Sequence, residues 1–208
     1  MKLIEMQLEA FVSVLGSDAP APGGGSASAL AAAQGIALTK MVTELTIGKK
    51  KYAAFEDDMQ LLHEKAQRLQ DELLAAIDED TEAFNQVSAV FALPKTTEAE
   101  KKARREAMQK ALKGAATTPF SMMEKIIAAL KVTQAAVGKS NTNAASDLGV
   151  AALNLKAALQ GAWLNVRINL SSINDETFVY QHNKTGEAMV KEGNEIADGI
   201  YQQILESL

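Results

Sequence analysis

The sequence contains no cysteine. A disulfide framework, a thiolate metal site and a cysteine nucleophile are therefore excluded. Histidine is scarce as well: His63 and His182 are the only two. Each sits in charged surroundings with no second histidine at ligand spacing, so no metal is expected. No G-x-S-x-G elbow is present, which argues against a serine hydrolase of that type. Long apolar runs are missing. The longest weakly polar stretch, Ser26 to Ala37, is mostly alanine and includes Gln34, short of the ~20 apolar residues that span a bilayer. Residues 1–15 lack the basic-then-apolar layout of an export signal, because Glu5 and Glu9 interrupt the apolar positions. A soluble, cytoplasmic protein with no membrane partner is expected. The net charge of -5 disfavours general binding to nucleic acid, which rests on neutralising phosphates with lysine and arginine.

Strand signals are also scarce, since no segment sustains period-2 alternation of β-branched and aromatic residues. What is present is apolar recurrence at three and four. Leu3, Met6, Leu8, Phe11, Val12 and Leu15 predict a helix over 3–15. A proline- and glycine-rich loop, Asp18 to Gly25, leads to an alanine-rich second helix ending near Thr46. Gly48 breaks the pattern, and a third helix is predicted from Ala53 to Val90, with Phe55, Met59, Leu62, Leu69, Leu73, Ile77, Phe84 and Val87 on one stripe. Leu93-Pro94 ends it, and Thr97 with Glu100 reads as a capping box for the next helix. Pro119 is expected to kink or divide that helix. After a turn at Gly138 to Asn141, residues 144–170 are apolar on nearly all sides and predict a central helix. A last helix starts near Asn174-Asp175 and ends near Leu208. The expectation is one all-α domain over 1–208, an antiparallel bundle of six or seven helices.

Three segments carry possible chemistry. Gly23, Gly24, Gly25 and Ser26 enter a helix and leave bare backbone N–H groups at its positive end. This is neither a Walker loop nor a dinucleotide fingerprint. In Asp78 to Phe84, Asp78, Glu79 and Glu82 read as a solvated acidic face, while Asp80 lies beside the apolar stripe. Asp80 reads either as part of that solvated face or, beside the stripe, as a partly desolvated acid with a raised pKa, which suits proton transfer. In the third, Asn141, Ser146 and Asp147 enter the most apolar helix, which also carries Asn165 and Asn169. Buried amides must find partners, in the backbone or in a heteroaromatic ligand. Lys49, with Lys50 and Lys51, is a candidate anion patch in an otherwise acidic chain.

The segments follow in a fixed order: Gly23–Ser26, Thr46–Lys49 with Tyr52, Asp78–Phe84, Leu93–Thr97, Asn141–Asp147 and Gly161–Leu170. Together they resemble the cyclodeaminase domain of formiminotransferase-cyclodeaminase and the free-standing methenyltetrahydrofolate cyclohydrolases of the same family, over nearly the whole chain. The resemblance implies an all-helical homodimer with the folate site and its glycine-rich loop beside the dimer interface. It implies one of two activities: ammonia loss from 5-formiminotetrahydrofolate to give the 5,10-methenyl compound, or hydrolysis of that compound to 10-formyltetrahydrofolate. No cofactor beyond the folate substrate is implied. Both reactions pass through a tetrahedral carbon between N5 and N10 and need an acid–base group. Asp147 and Asp80 are the carboxylate candidates. Lys49 is a candidate acid or a ligand for the glutamate carboxylate. Asn141, Ser146, Asn165 and Asn169, with Gly23 to Ser26, are candidates for binding the pterin or a carboxylate. The absence of a formiminotransferase segment favours the cyclohydrolase. The competing readings are a helical scaffold module, which leaves the amides on the apolar helix unexplained, and a phosphate-binding regulator, for which the P-loop lysine is lacking.

Overall fold

The structure is a computed structural model that describes residues 2–208. Six α-helices account for most of them, and no strand occurs among the described residues. A short 3-10 turn, Leu3–Glu5, precedes α1 (Leu8–Leu15). Then come α2 (Gly24–Glu44), a 3-10 turn at Lys50–Phe55, α3 (Glu56–Val90), α4 (Glu98–Ala136), α5 (Ala145–Leu170) and α6 (Glu176–Ser207). The expected all-α bundle is therefore observed. No described helix is long and apolar enough to cross a membrane.

Local chemistry sets the boundaries. Asp175 caps α6 by accepting the Phe178 N–H at 3.0 Å. The capping box at α4 forms: Thr97 Oγ1 accepts the Glu100 N–H at 3.2 Å, and the Glu100 carboxylate accepts the N–H groups of Thr97 and Thr96 at 2.8 and 2.9 Å. Those bonds hold the Glu100 pKa below the usual carboxylate range. Two boundaries differ from expectation. The first helix breaks at Met6 and Gln7, both extended, and the start of the third is tightened into the 3-10 turn at Lys50–Phe55.

Pro119 lies buried inside α4 and does not divide it. Proline removes the N–H that would bond to the carbonyl four residues back, here Ala115. The Asn169 Nδ2 of α5 donates to that carbonyl at 3.1 Å and satisfies it.

The helices α2 and α5 pack along their whole lengths. They run antiparallel: Gly24 lies against Asn165, Gly35 against Leu155, and Leu45 beside Asn141. Alanine and glycine make this close approach possible; a Cβ on Gly35 or Gly161 would overlap Leu155 or Ser28. α3, α4 and α6 pack around the pair, with Leu73, Met123, Ile126, Leu130, Leu155 and Leu159 fully buried between them. The α5 helix is not covered on every side, contrary to its composition. Val150, Leu153, Leu164 and Ile168 face solvent along one edge, and Leu164 and Ile168 are 69% and 70% exposed.

Candidate active site

The glycine segment lies where α2 begins, after a cis peptide at Ala21-Pro22. Gly25 is buried and touches the Asp80 carboxylate so closely that any side chain there would overlap it. Ser26 is fully buried. Its hydroxyl bridges the Ile77 carbonyl at 2.9 Å, the Asp80 Oδ2 at 3.1 Å and the Thr81 hydroxyl at 3.2 Å. Asp80 itself is half-buried. Burial raises its pKa above the ordinary aspartate value, and the hydrogen bonds from Ser26 only partly offset this. The result is a carboxyl group moved toward the range in which it gives and takes protons.

Across from Asp80 stand two amides of α5. Asn165 Nδ2 donates to the Gly161 carbonyl at 2.8 Å, and Asn169 Nδ2 donates to Asn165 O and Ala115 O at 2.8 and 3.1 Å. Gly23, Gly24, Gly25, Asp80, Asn165 and Asn169 line one partly enclosed cavity of about 260 Å³, closed on its apolar side by Phe84 and Val87. Phe84, predicted on the core stripe, is 41% exposed because it borders this cavity. The size is just below the range of ligand pockets, which start near ~300 Å³, and suits a bicyclic ring better than a complete folate.

A broader open cleft of about 650 Å³ adjoins it, sharing Thr81 and Ala83. Its walls carry Asp78, Glu79 and Glu82. Asp78 departs from the solvated reading: its Oδ1 accepts the Leu3 N–H at 2.6 Å, and its Oδ2 is buried without a protein partner. Three carboxylates against one lysine, Lys2, leave that cleft net acidic and disfavour an anionic ligand there.

The remaining candidates form a second cluster at the other end of α2. Asn141 is engaged in structure: its N–H donates to Thr46 Oγ1 at 2.9 Å, its Nδ2 to the Leu45 carbonyl at 3.1 Å, and its Oδ1 accepts the Asn143 N–H at 3.1 Å. Ser146 is exposed and Asp147 half-buried in the first turn of α5. Lys49 is exposed just before the 3-10 turn at Lys50–Phe55. Tyr52 belongs here too, although sequence reasoning gave it no role. Its Oη accepts the Thr142 N–H at 2.9 Å and lies 3.1 Å from the Thr142 hydroxyl. These two bonds, with a smaller contribution from Lys51, lower the Tyr52 pKa to about 8. An aromatic placed after T-x-G-K was the available signal. α2 has 21 residues, so the two clusters stand about 30 Å apart in one chain at 1.5 Å per residue.

Residues 7–188 match the family model described as formiminotransferase-cyclodeaminase. A methenyltetrahydrofolate cyclohydrolase of Methylorubrum extorquens is 38% identical over 197 residues, which cover 95% of this chain and 95% of that protein. The formimidoyltransferase-cyclodeaminase of Gallus gallus is 37% identical over 176 residues, 85% of this chain. This chain spans about a third of that protein's length, 32%. Among solved structures, the formiminotetrahydrofolate cyclodeaminase of Thermotoga maritima superposes with a TM-score of 0.81 at 29% identity, covering 100% of this chain and 98% of that one.

Proposed function

The chain belongs to the formiminotransferase-cyclodeaminase family, and from that premise we propose that it is a cytoplasmic methenyltetrahydrofolate cyclohydrolase, converting 5,10-methenyltetrahydrofolate to 10-formyltetrahydrofolate. Asp80 carries the reading: a carboxyl group with a burial-raised pKa on the wall of a ring-sized cavity at the glycine loop. As carboxylate, Asp80 takes a proton from the water that attacks the methenyl carbon. As carboxylic acid, it returns that proton to N5 when the N5–C bond of the tetrahedral intermediate breaks, and the remaining hydroxyl proton leaves to solvent as the formyl C=O forms. Its negative charge also offsets the amidinium cation of the substrate. No cofactor beyond the folate enters this scheme. A scaffold role would leave a desolvated carboxylate beside a cavity without a reason.

The glutamate tail cannot lie along the acidic cleft without like-charge repulsion. The cationic residues of the second cluster, Lys49 to Lys51, are the natural partners for it, and a homodimer brings them within reach. The outward stripe of α5, Val150, Leu153, Ala157, Leu164 and Ile168, runs beside that of α2, Ala27, Ala31, Gln34, Leu38, Met41 and Leu45. Neither stripe carries a charged residue. Two helices about 30 Å long and about 10 Å wide each present roughly 600 Å², near the ~800 Å² per partner of a stable interface. A two-fold axis through the middle of this face sets the glycine loop of one protomer beside Lys49, Tyr52 and Asp147 of the other. In that arrangement Asp147 is a second acid–base group, and Ser146 and Lys49 are substrate ligands.

The second reading is cyclodeamination of 5-formiminotetrahydrofolate to the methenyl compound and ammonia, favoured by the structural likeness to the Thermotoga maritima cyclodeaminase. The two are separated by following the ultraviolet band of 5,10-methenyltetrahydrofolate. Accelerated loss of the band over a buffer blank is expected. Formation of the band from the formimino compound, without accelerated loss, selects the deaminase. No effect on either compound removes the folate reading.

A further inference from the structure

The two amides in the cavity are pinned in one orientation. Asn169 places both Nδ2 hydrogens on the carbonyls of Asn165 and Ala115. Asn165 places its Nδ2 on the Gly161 carbonyl. A reversed amide would set oxygen against carbonyl oxygen in either case, so the bonds fix which atom is which. Neither Oδ1 has a protein partner, and neither is sealed from solvent. What the pair offers the cavity is therefore two hydrogen-bond acceptors, with the second Nδ2 hydrogen of Asn165 the one donor left over. The Ala115 carbonyl is open to Asn169 only because Pro119, four residues on, has no N–H to give it.

From this geometry, and resting on the folate reading above, we infer that Asn165 and Asn169 are specificity-determining residues that read the donor edge of the pterin, its N3–H and 2-amino group, and that Pro119 is a positioning residue that locks Asn169 for this task. Asn169 has no N–H left to give, so with the Asp80 carboxyl group opposite, these acceptors suit the donor edge of the ring better than the glutamate tail. Gly24 lies against Asn165 and Gly25 against Asp80. The ring thus sits with its donor edge on the amides and its N5 side toward the carboxyl group. The first-turn N–H groups of α2, which lack helical acceptors, face a ring oxygen in that pose.

The test compares 5,10-methenyltetrahydrofolate with its analogue carrying a methyl group in place of the 2-amino group. A site built on a hydrogen bond rejects an analogue that lacks the donor, because its own acceptor is left unpaired. The wild-type protein is expected to prefer the natural substrate by at least about tenfold in kcat/KM. Asn165→Met should bring that ratio close to one. Pro119→Ala returns an N–H to the Ala115 carbonyl, so it should narrow the ratio while leaving thermal stability unchanged or higher. That combination is one a merely structural proline would not give. A wild-type ratio near one, or a ratio that Asn165→Met leaves unchanged, overturns the inference. A narrowed ratio in Pro119→Ala supports it even where Asn165→Met fails to fold. A wild type inactive on both the methenyl and the formimino compounds removes the folate reading itself and the inference with it.

Discussion

A carboxyl group that folding makes harder to ionise works against the fold. The Asp80 pKa is raised by burial, so the folded state favours the protonated form. Its contribution to stability is fully present below the unfolded aspartate pKa and is lost as pH rises through the folded value. Above that raised value, ionised Asp80 is therefore a cost to the fold. Asp80→Asn keeps the shape and an acceptor for Ser26 without the charge. It should melt higher than wild type at pH 7, with the difference shrinking toward acid, while kcat falls about 100-fold or more. Scanning calorimetry across pH and the methenyl assay measure the two halves. A variant both less stable and fully active would end the general-base assignment. In the wild type, kcat/KM should rise with pH through the raised Asp80 pKa and then level. Tyr52 shifts the other way, to about 8. A phenolate absorbance titration should show one tyrosine ionising near that pH, and Tyr52→Phe or Thr142→Val should remove or raise that phase. Its stabilising effect appears as pH rises from about 8 toward the ordinary tyrosine value near ~10.

Among the elements, the joint between the start of α2 and the middle of α3 has the least tolerance. Gly25 and Asp80 share space that a methyl group would occupy. Gly25→Ala should displace the carboxyl group and cut turnover at least tenfold with the helical circular dichroism unchanged; near-wild-type kcat would show that Asp80 does not need its present seat. Helices of this kind are readable in advance because a 3.6-residue apolar period and a capping box are local properties. The stripe Met59, Leu62, Leu69, Leu73 and Ile77 is buried as the period demands. The failures have non-local causes. Pro119 leaves α4 whole because Asn169, on α5, takes over the role of its missing N–H in bonding Ala115. Phe84 and Val87 leave the core stripe because the cavity lies beyond Ile77. Asp78 is drawn into a bond with Leu3, 75 residues away. For the site, a desolvated Asp80 and a glycine loop were legible as types of residue. That Asn141 is consumed by the end of α2, or that Asn165 and Asp147 lie far apart, depends on how α2 and α5 align, which no local pattern states.

At the scale of the whole molecule, that separation is the main constraint on mechanism. Asp147 and Asn165 lie on the same side of α5, five helical turns apart, or about 27 Å. One chain cannot close a folate site over both ends of this helix pair. An isologous dimer can, since a two-fold axis exchanges the ends and makes each site from two chains. The arrangement has a quantitative signature. Asp80→Asn and Asp147→Asn, purified separately, should each be nearly inactive. When the two chains are co-expressed at equal levels, half of the dimers are mixed. In each mixed dimer one site collects both altered residues and the other collects both native ones. Activity should therefore return to about a quarter of wild type per protein, and the recovered fraction should co-purify on two different affinity tags placed on the two chains. If each site lay within a single chain, every site in the mixture would carry one altered residue, and activity would stay at the level of the separate variants. Adding Ala157→Arg to both chains places charge at the centre of the unpartnered face. It should abolish the recovery by parting the protomers, with sedimentation showing a folded monomer.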